Sequence, residues 1–264
     1  MKNQLDLKKY GPWAIITGAS SGIGKEFAEQ LAKMNFNLVL VARRKELLSE
    51  LGTVLSNKYL ISYLSLQVDL SQPGSVKSII DQTSQLDIGL LISNAGAGKP
   101  GKFLDFDEKQ LLKIIQLNTV THLSLVHYFA KRFKKRGTGG ILLTGAMGAS
   151  DGIPFMANES GTKAYVKAFG LALNSEFKKK GINVTVLETS PTNTPVFTDL
   201  GLKRSDFPLK PLSVQKCVYE ALLALKKNRA TIIPGRKFRL MNMLIPSGIS
   251  RNMMGRTFKK SQNF

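Results

Sequence analysis

In the stretch Asn158-Glu159-Ser160-Gly161-Thr162-Lys163, a carboxylate stands four residues ahead of an ammonium. If the stretch is helical, that spacing puts both groups on one face. An exposed pair of this kind is a common surface feature worth a few tenths of a kcal/mol. Shielded from water, the same two groups can move protons. Glu159 starts from a reference pKa of about 4.3, so beside a lysine it is an ionised base, fit for alcohol oxidation or for abstracting a proton next to a carbonyl. Desolvation can instead raise that pKa by several units and turn the glutamate into a general acid.

A second set of residues points to an anionic ligand. Thr17 to Gly24, "TGASSGIG", follows the apolar run "WAIIT" and opens a helical pattern. Gly18 allows a tight exit from the strand, Gly22 allows close approach of the backbone to a pyrophosphate, and Gly24 allows helix and strand to pack closely. Ser20, Ser21 and Ile23 complete the loop, and the helix N-terminus faces the anion. The next apolar run ends in Ala42-Arg43-Arg44-Lys45. Arg43 and Arg44 in that place favour a 2'-phosphate over a free ribose hydroxyl, hence NADP(H) over NAD. The plainer reading, a solvated basic helix start, sets cations against the helix dipole.

These residues need a scaffold, and the hydrophobic pattern supplies one. Short apolar runs at 13–17, 37–42, 63–68, 90–93, 140–145, 183–188 and 230–233 alternate with segments of helical period. Most lack polar alternation, as strands do when helices cover both faces of a parallel sheet. The fold class is therefore α/β: one Rossmann-type doubly wound sheet of about seven strands flanked by helices. Asp107 caps a helix running from about 108 to 135, with Gln110 placed to answer it, and a basic cluster from Lys131 to Arg136 closes it at the negative pole.

At 264 residues a single domain spanning 1–264 is expected, with a basic, apolar extension from about 234 to 264. One cysteine, Cys217, rules out an internal disulfide, and His122 and His127 do not share a helix face, so no metal site is expected. No apolar run is long enough for a leader or a span, which leads us to expect a cytoplasmic protein. The formal net charge is +20, and ten cations follow Glu220 with no acid among them. Mixed with Met241, Met243, Leu244, Ile245, Ile249, Met253 and Met254, they fit an anionic lipid surface reached peripherally, a lid over an apolar substrate, or an acidic carrier protein. Nucleic acid is disfavoured, because no recognition helix or aromatic platform accompanies the charge.

The glycine loop, "VDL" at 68–70, "NAGAG" at 94–98 and Asn118 together resemble the short-chain dehydrogenase/reductase family, and the opening is similar to its 3-oxoacyl and steroid reductases. The resemblance implies that Asp69 and Leu70 flank the adenine, that Asn94, Ala95, Gly96 and Thr192 line the cofactor, and that Lys163 holds the nicotinamide ribose. It also implies catalysis by Asn118, a Ser, a Tyr and Lys163, the Tyr four residues before the Lys and the Ser thirteen before the Tyr. Here those offsets fall on Glu159 and Ala146, and Thr189-Ser190-Pro191 stands where the family has Pro-Gly. Three functions stay open: an oxidoreductase acting on an apolar carbonyl or acyl substrate admitted through 192–211, a cofactor-binding sensor or scaffold, and non-redox chemistry with Glu159 as base. The family pairs its two long helices, here 108–135 and 159–180, in a homodimer or homotetramer.

Overall fold

The seven apolar runs become the strands of one parallel sheet in the order β3-β2-β1-β4-β5-β6-β7. The computed structural model describes residues 5–207 and 209–261; residues 1–4, Pro208 of the 192–211 segment and the last three of the basic extension lie outside. The strands are β1 (Trp13–Thr17), β2 (Asn37–Ala42), β3 (Tyr63–Gln67), β4 (Ile88–Ser93), β5 (Gly139–Ala146), β6 (Ile182–Thr189) and β7 (Thr231–Ile232). The helices are α1 (Leu7–Tyr10), α2 (Gly22–Lys33), α3 (Lys45–Tyr59), α4 (Ser75–Thr83), α5 (Glu108–Ile115), α6 (Thr121–Arg136), α7 (Ala157–Phe177), α8 (Pro195–Asp199), α9 (Val214–Lys226), α10 (Arg236–Leu244) and α11 (Ser247–Ser261).

Strand geometry sends successive side chains to opposite faces, and both faces are buried. Ile16, Leu40 and Ile92 pack under α2, α3 and α9, against Phe27, Leu48 and Leu222. Their neighbours Ile15, Val41 and Leu91 pack on the other side, against Ile79, Phe129 and Val166 of α4, α6 and α7. This is why the runs are continuously apolar. Strand order reverses between β1 and β4, the crevice where doubly wound sheets bind their ligands.

Two local departures from expectation have physical causes. The helix expected from 108 to 135 is interrupted by a wide turn at Gln116–Val120 that carries Asn118, and α6 resumes beyond it. Its cap is Asp107, but the carboxylate accepts from Lys109 N at 3.0 Å, without the capping box expected with Gln110. The basic end of α6 does more than answer the dipole. Arg132 donates to Thr83 O and Leu86 O, while Arg136 reaches Asp87 and Lys9 O, so these two arginines tie α6 to the far end of the sheet.

Gly24 fixes how closely α2 approaches β1, because a Cβ there would lie 2.1 Å from Gly18 O. Gly24→Ala gains about 1 kcal/mol of helix propensity, yet the clash is with rigid backbone and overpacking costs roughly 1–3 kcal/mol or more. The expected outcome is a net loss of roughly 2 kcal/mol in urea unfolding, with an unchanged m value.

Candidate active site

The loop after β1 and the loop after β4 meet across the crevice, and one threonine sets their spacing. Thr17, fully buried at the end of β1, accepts from Asn94 N and Ala95 N, both at 2.9 Å, while Asn94 Nδ2 donates to Thr17 O at 3.2 Å. Gly18 has φ +69° and lies so close that a Cβ would come within 3.1 Å of Ala95 Cα. Gly22 also takes a positive φ, and Ser21 provides no side-chain cap to α2. A helix N-terminus without a side-chain cap thus opens onto a loop whose glycines let the backbone come close, which fits a pyrophosphate. Arg44 donates to Ser20 Oγ at 2.9 Å and Arg43 lies exposed near Asp69. Partial burial would raise the Asp69 pKa, but hydrogen bonds from Ser71 and Gln72 and the Arg43 charge outweigh it, and Asp69 is held below the usual value.

Beyond the cradle, α7 brings Lys163 inward. Its ammonium is buried and donates to Thr144 O of β5 at 2.9 Å. Asn118, in the wide turn, clamps the loop after β4 with two bonds: its Oδ1 accepts from Ala97 N at 2.9 Å and its Nδ2 donates to Ala97 O at 2.8 Å. The same Nδ2 reaches Thr162 Oγ1 at 3.1 Å, which joins α7 to the clamp. Gly96 faces this knot, its missing Cβ only 3.0 Å from Lys163 Nζ.

Glu159 is not a surface ion-pair partner of Lys163. Its carboxyl lies against Gly98, where any Cβ would overlap Oε2 at 1.7 Å, and Oε2 is buried with no hydrogen-bond partner. Burial pushes its pKa up to about 7, with the Lys163 charge opposing the rise. Burial also lowers Lys163 below the ordinary lysine value, opposed by Glu159. Behind them His122, bonded through Nδ1 to Ser93 Oγ at 2.7 Å, is driven down to about 3 by burial and then by Lys163, so the ring is neutral. Ala146 ends β5 half-buried, presenting a methyl group.

Glu159 also lines a cavity of about 390 Å³. Its walls are mostly apolar, from Phe103, Phe106, Leu111, Ile114, Phe155 and Met156, with Lys99 and Lys102 at the lining. Such a volume suits a small organic ligand. Among the described residues, none of these walls comes from 192–211, the segment expected to admit substrate. That segment instead leans on the glycine loop, with Thr194 Cβ 3.5 Å from where a Gly22 Cβ would stand. Thr192 spends its hydroxyl on Ser190 O at 2.7 Å and pairs its backbone with Leu212. The sequence-predicted residues from Gly18 to Gly24, Asn94 to Gly96, Asn118 and Lys163 do come together. Thr17, Thr144, Thr162, Gly98 and the cavity wall were not singled out from sequence. The only signals were that Thr17 and Gly98 lie inside quoted motifs and that Thr162 adjoins Lys163.

The sheet order and the glycine cradle at its switch point define a doubly wound dinucleotide-binding architecture. The family model described as short chain dehydrogenase matches residues 12–205, and the chain belongs to that family. It is 33% identical over 188 residues to 7beta-hydroxysteroid dehydrogenase of Mediterraneibacter gnavus, covering 71% of this chain and 72% of that protein. It is 34% identical over 185 residues to very-long-chain 3-oxoacyl-CoA reductase of Laccaria bicolor, covering 69% of this chain but only 55% of the relative, a little over half its length. Among solved structures, one concerned with 7beta-hydroxysteroid dehydrogenase stereoselectivity superposes with a TM-score of 0.86 at 26% identity, over 94% of this chain and 98% of the other. A short-chain dehydrogenase from Sphingobium yanoikuyae in complex with NADPH gives 0.80 at 30% identity, over 92% and 95%.

The Glu159 environment has a measurable consequence. Its folded pKa of about 7 lies above the usual 4.5, so the stabilisation from its protonation is complete below pH 4.5 and is lost as pH rises through 7. Glu159→Gln mimics the neutral carboxyl and is expected to be more stable than the natural protein at pH 8, by on the order of 2 kcal/mol, and equal to it at pH 4.5. Urea unfolding at the two pH values checks the sign.

Proposed function

We propose that the chain is an NADP(H)-dependent oxidoreductase that interconverts a carbonyl and a hydroxyl group on an apolar substrate, with Glu159 as its acid-base group. The observation that carries this reading is the Glu159 carboxyl itself: its Oε2 is buried without a hydrogen-bond partner, its pKa is pushed up to about 7, and it stands one helical turn from Lys163 on the lining of a mostly apolar cavity. An inert surface pair has none of these properties. The names of the relatives, a hydroxysteroid dehydrogenase and an oxoacyl-CoA reductase, support carbonyl and hydroxyl chemistry, and the NADPH complex of a structural neighbour supports the cofactor.

The cradle of Gly18, Ser20, Ser21, Gly22, Ile23 and Gly24 holds the pyrophosphate in this reading. Arg43 and Arg44 take the 2'-phosphate, Asp69 and Leu70 flank the adenine, and Asn94 to Gly96 with Thr192 border the remainder. When bound, the nicotinamide supplies or accepts the hydride. Glu159, standing where the family has Tyr, gives its proton to the carbonyl oxygen as hydride reaches the carbon, and solvent restores it; alcohol oxidation reverses the transfer. Lys163, held by Thr144 O, keeps positive charge near the developing alkoxide and contacts the ribose. Asn118 fixes the loop at Ala97 and so keeps Glu159 in register with the substrate. The cavity walls exclude water and select apolar substrates. Exposed Leu112, Ile115 and Leu123 on the first long helix pair, and Tyr165 and Leu171 on α7, support association through these helices.

The competing reading, a cofactor-binding protein without turnover, draws on Ala146, whose methyl replaces the family's substrate-orienting hydroxyl. NADPH oxidation with a panel of bulky ketones and oxoacyl thioesters separates the two. The expected result is turnover by the natural protein and a loss of about 10²–10⁴-fold in Glu159→Gln, with NADPH binding retained. Turnover only in Ala146→Ser with Glu159→Tyr overturns the proposal in favour of a sensor or scaffold. In fluorescence titrations, Arg43→Ala with Arg44→Ala is expected to weaken NADPH by at least about tenfold and leave NADH almost unchanged. Equal losses for both cofactors would remove the arginines from the 2'-phosphate.

A further inference from the structure

The C-terminal helices are amphipathic in opposite senses to what a sealed surface requires. On α10, Phe238 is buried while Leu240, Met243 and Leu244, at i, i+3 and i+4, share the opposite face and are 52%, 73% and 65% exposed. On α11, Gly255 and Phe258 pack inward and Ile249 and Met253, again at i and i+4, point out at 55% and 43%. All five outward side chains flank one turn at Pro246. Exposed cations share these two helices: Arg236, Lys237, Arg251, Arg256, Lys259 and Lys260. From residue 234 onward the chain has no acidic residue, and among the described residues of this segment Arg239 alone is neutralised by a carboxylate, that of Glu220.

Leaving this many large apolar groups in water is unfavourable, and their grouping marks an interaction surface. We propose that the α10–α11 turn is a peripheral membrane-binding element that places Leu240, Met243, Leu244, Ile249 and Met253 among the acyl chains of an anionic lipid surface. Both halves of the pattern call for this partner. Cations alone would serve an acidic protein, but five exposed apolar residues at one turn match an interface that is charged outside and oily beneath. Flexible methionines suit a fluid, uneven surface. Among the described residues no helix is long and apolar enough to cross a membrane, so attachment is from one side.

The anchor also touches the cavity. Gly255 sits against Pro154, and Phe258 packs with Ile153, Phe155 and Met156, two of which line the cavity beside Glu159. Lipid attachment does not depend on the proposed redox reaction, and its test uses no turnover.

The full chain is sedimented with phosphatidylcholine vesicles, with and without phosphatidylserine. Binding is expected only with the anionic lipid, falling at least about tenfold as salt rises from about 0.05 to 0.5 M. Met243→Asp with Leu244→Asp is expected to lose about tenfold or more of that binding, as is Arg251→Gln with Arg256→Gln. On the natural chain, vesicles should slow amide exchange in 240–253, a readout that holds even if a variant folds poorly. Absence of vesicle binding, equal binding to neutral vesicles, full binding by the aspartate variant, or unchanged exchange in 240–253 would each overturn the proposal; the first would leave an acidic protein as the partner.

Discussion

A buried ammonium must be given partners, and the site is organised around the one on Lys163. Water is excluded from it, so its charge costs free energy unless nearby dipoles and charges compensate. The carbonyl of Thr144 is one partner. To bring α7 close enough for that contact, Gly170 leaves out a side chain that would overlap Val186. To keep the loop after β4 beside the ammonium, Gly96 leaves out another, and Asn118 clamps Ala97 from both sides. These omissions and bonds form one arrangement, and each makes sense only with the lysine buried at its centre.

Glu159 inherits its properties from the same arrangement. One turn before Lys163 on α7, it is carried into the space that Gly98 leaves open. A carboxyl in that space gains the Lys163 charge but loses water, and the loss dominates. The same pair four residues apart on an exposed helix would sit at ordinary pKa values. His122 completes the balance by staying neutral: a second cation behind Lys163 would be repelled, and burial opposes it as well.

Most of the scaffold was legible in the sequence because its causes are local or periodic. All seven strands end within two residues of the apolar runs, β1 and β2 coinciding with them, since a sheet covered on both faces leaves continuous hydrophobic stretches. The glycine cradle was legible because strand, glycines and helix start are adjacent in the chain. The state of Glu159 was not, because it depends on Gly98, sixty-one residues earlier, and on how closely two loops approach. The cavity wall was missed for a similar reason. Phe103, Leu111 and Phe155 come from three separate stretches, the loop after β4, α5 and the turn before α7, and each looks like an ordinary apolar residue in its own stretch. Conversely, the 192–211 segment attracted attention as a variable stretch, while its packing on the glycine loop is a tertiary fact.

The uneven charge of the chain becomes intelligible once its parts are separated. At the end of α6, Arg132 is spent on carbonyls and Arg136 on Lys9 O and Asp87, so these two hold helix to sheet, while Lys131, Lys134 and Lys135 stay exposed at the negative pole of the helix. Arg239 is likewise spent, gripping Glu220 and Ile233 O to seat α10 on α9. The cations around the α10–α11 turn have no such structural work among the described contacts, and the apolar residues between them do not enter either main core. Packing explains the inner faces of these two helices, through Phe238 and Phe258. It does not explain the outer ones, and residues that folding leaves unexplained are where selection for a surface partner would be recorded.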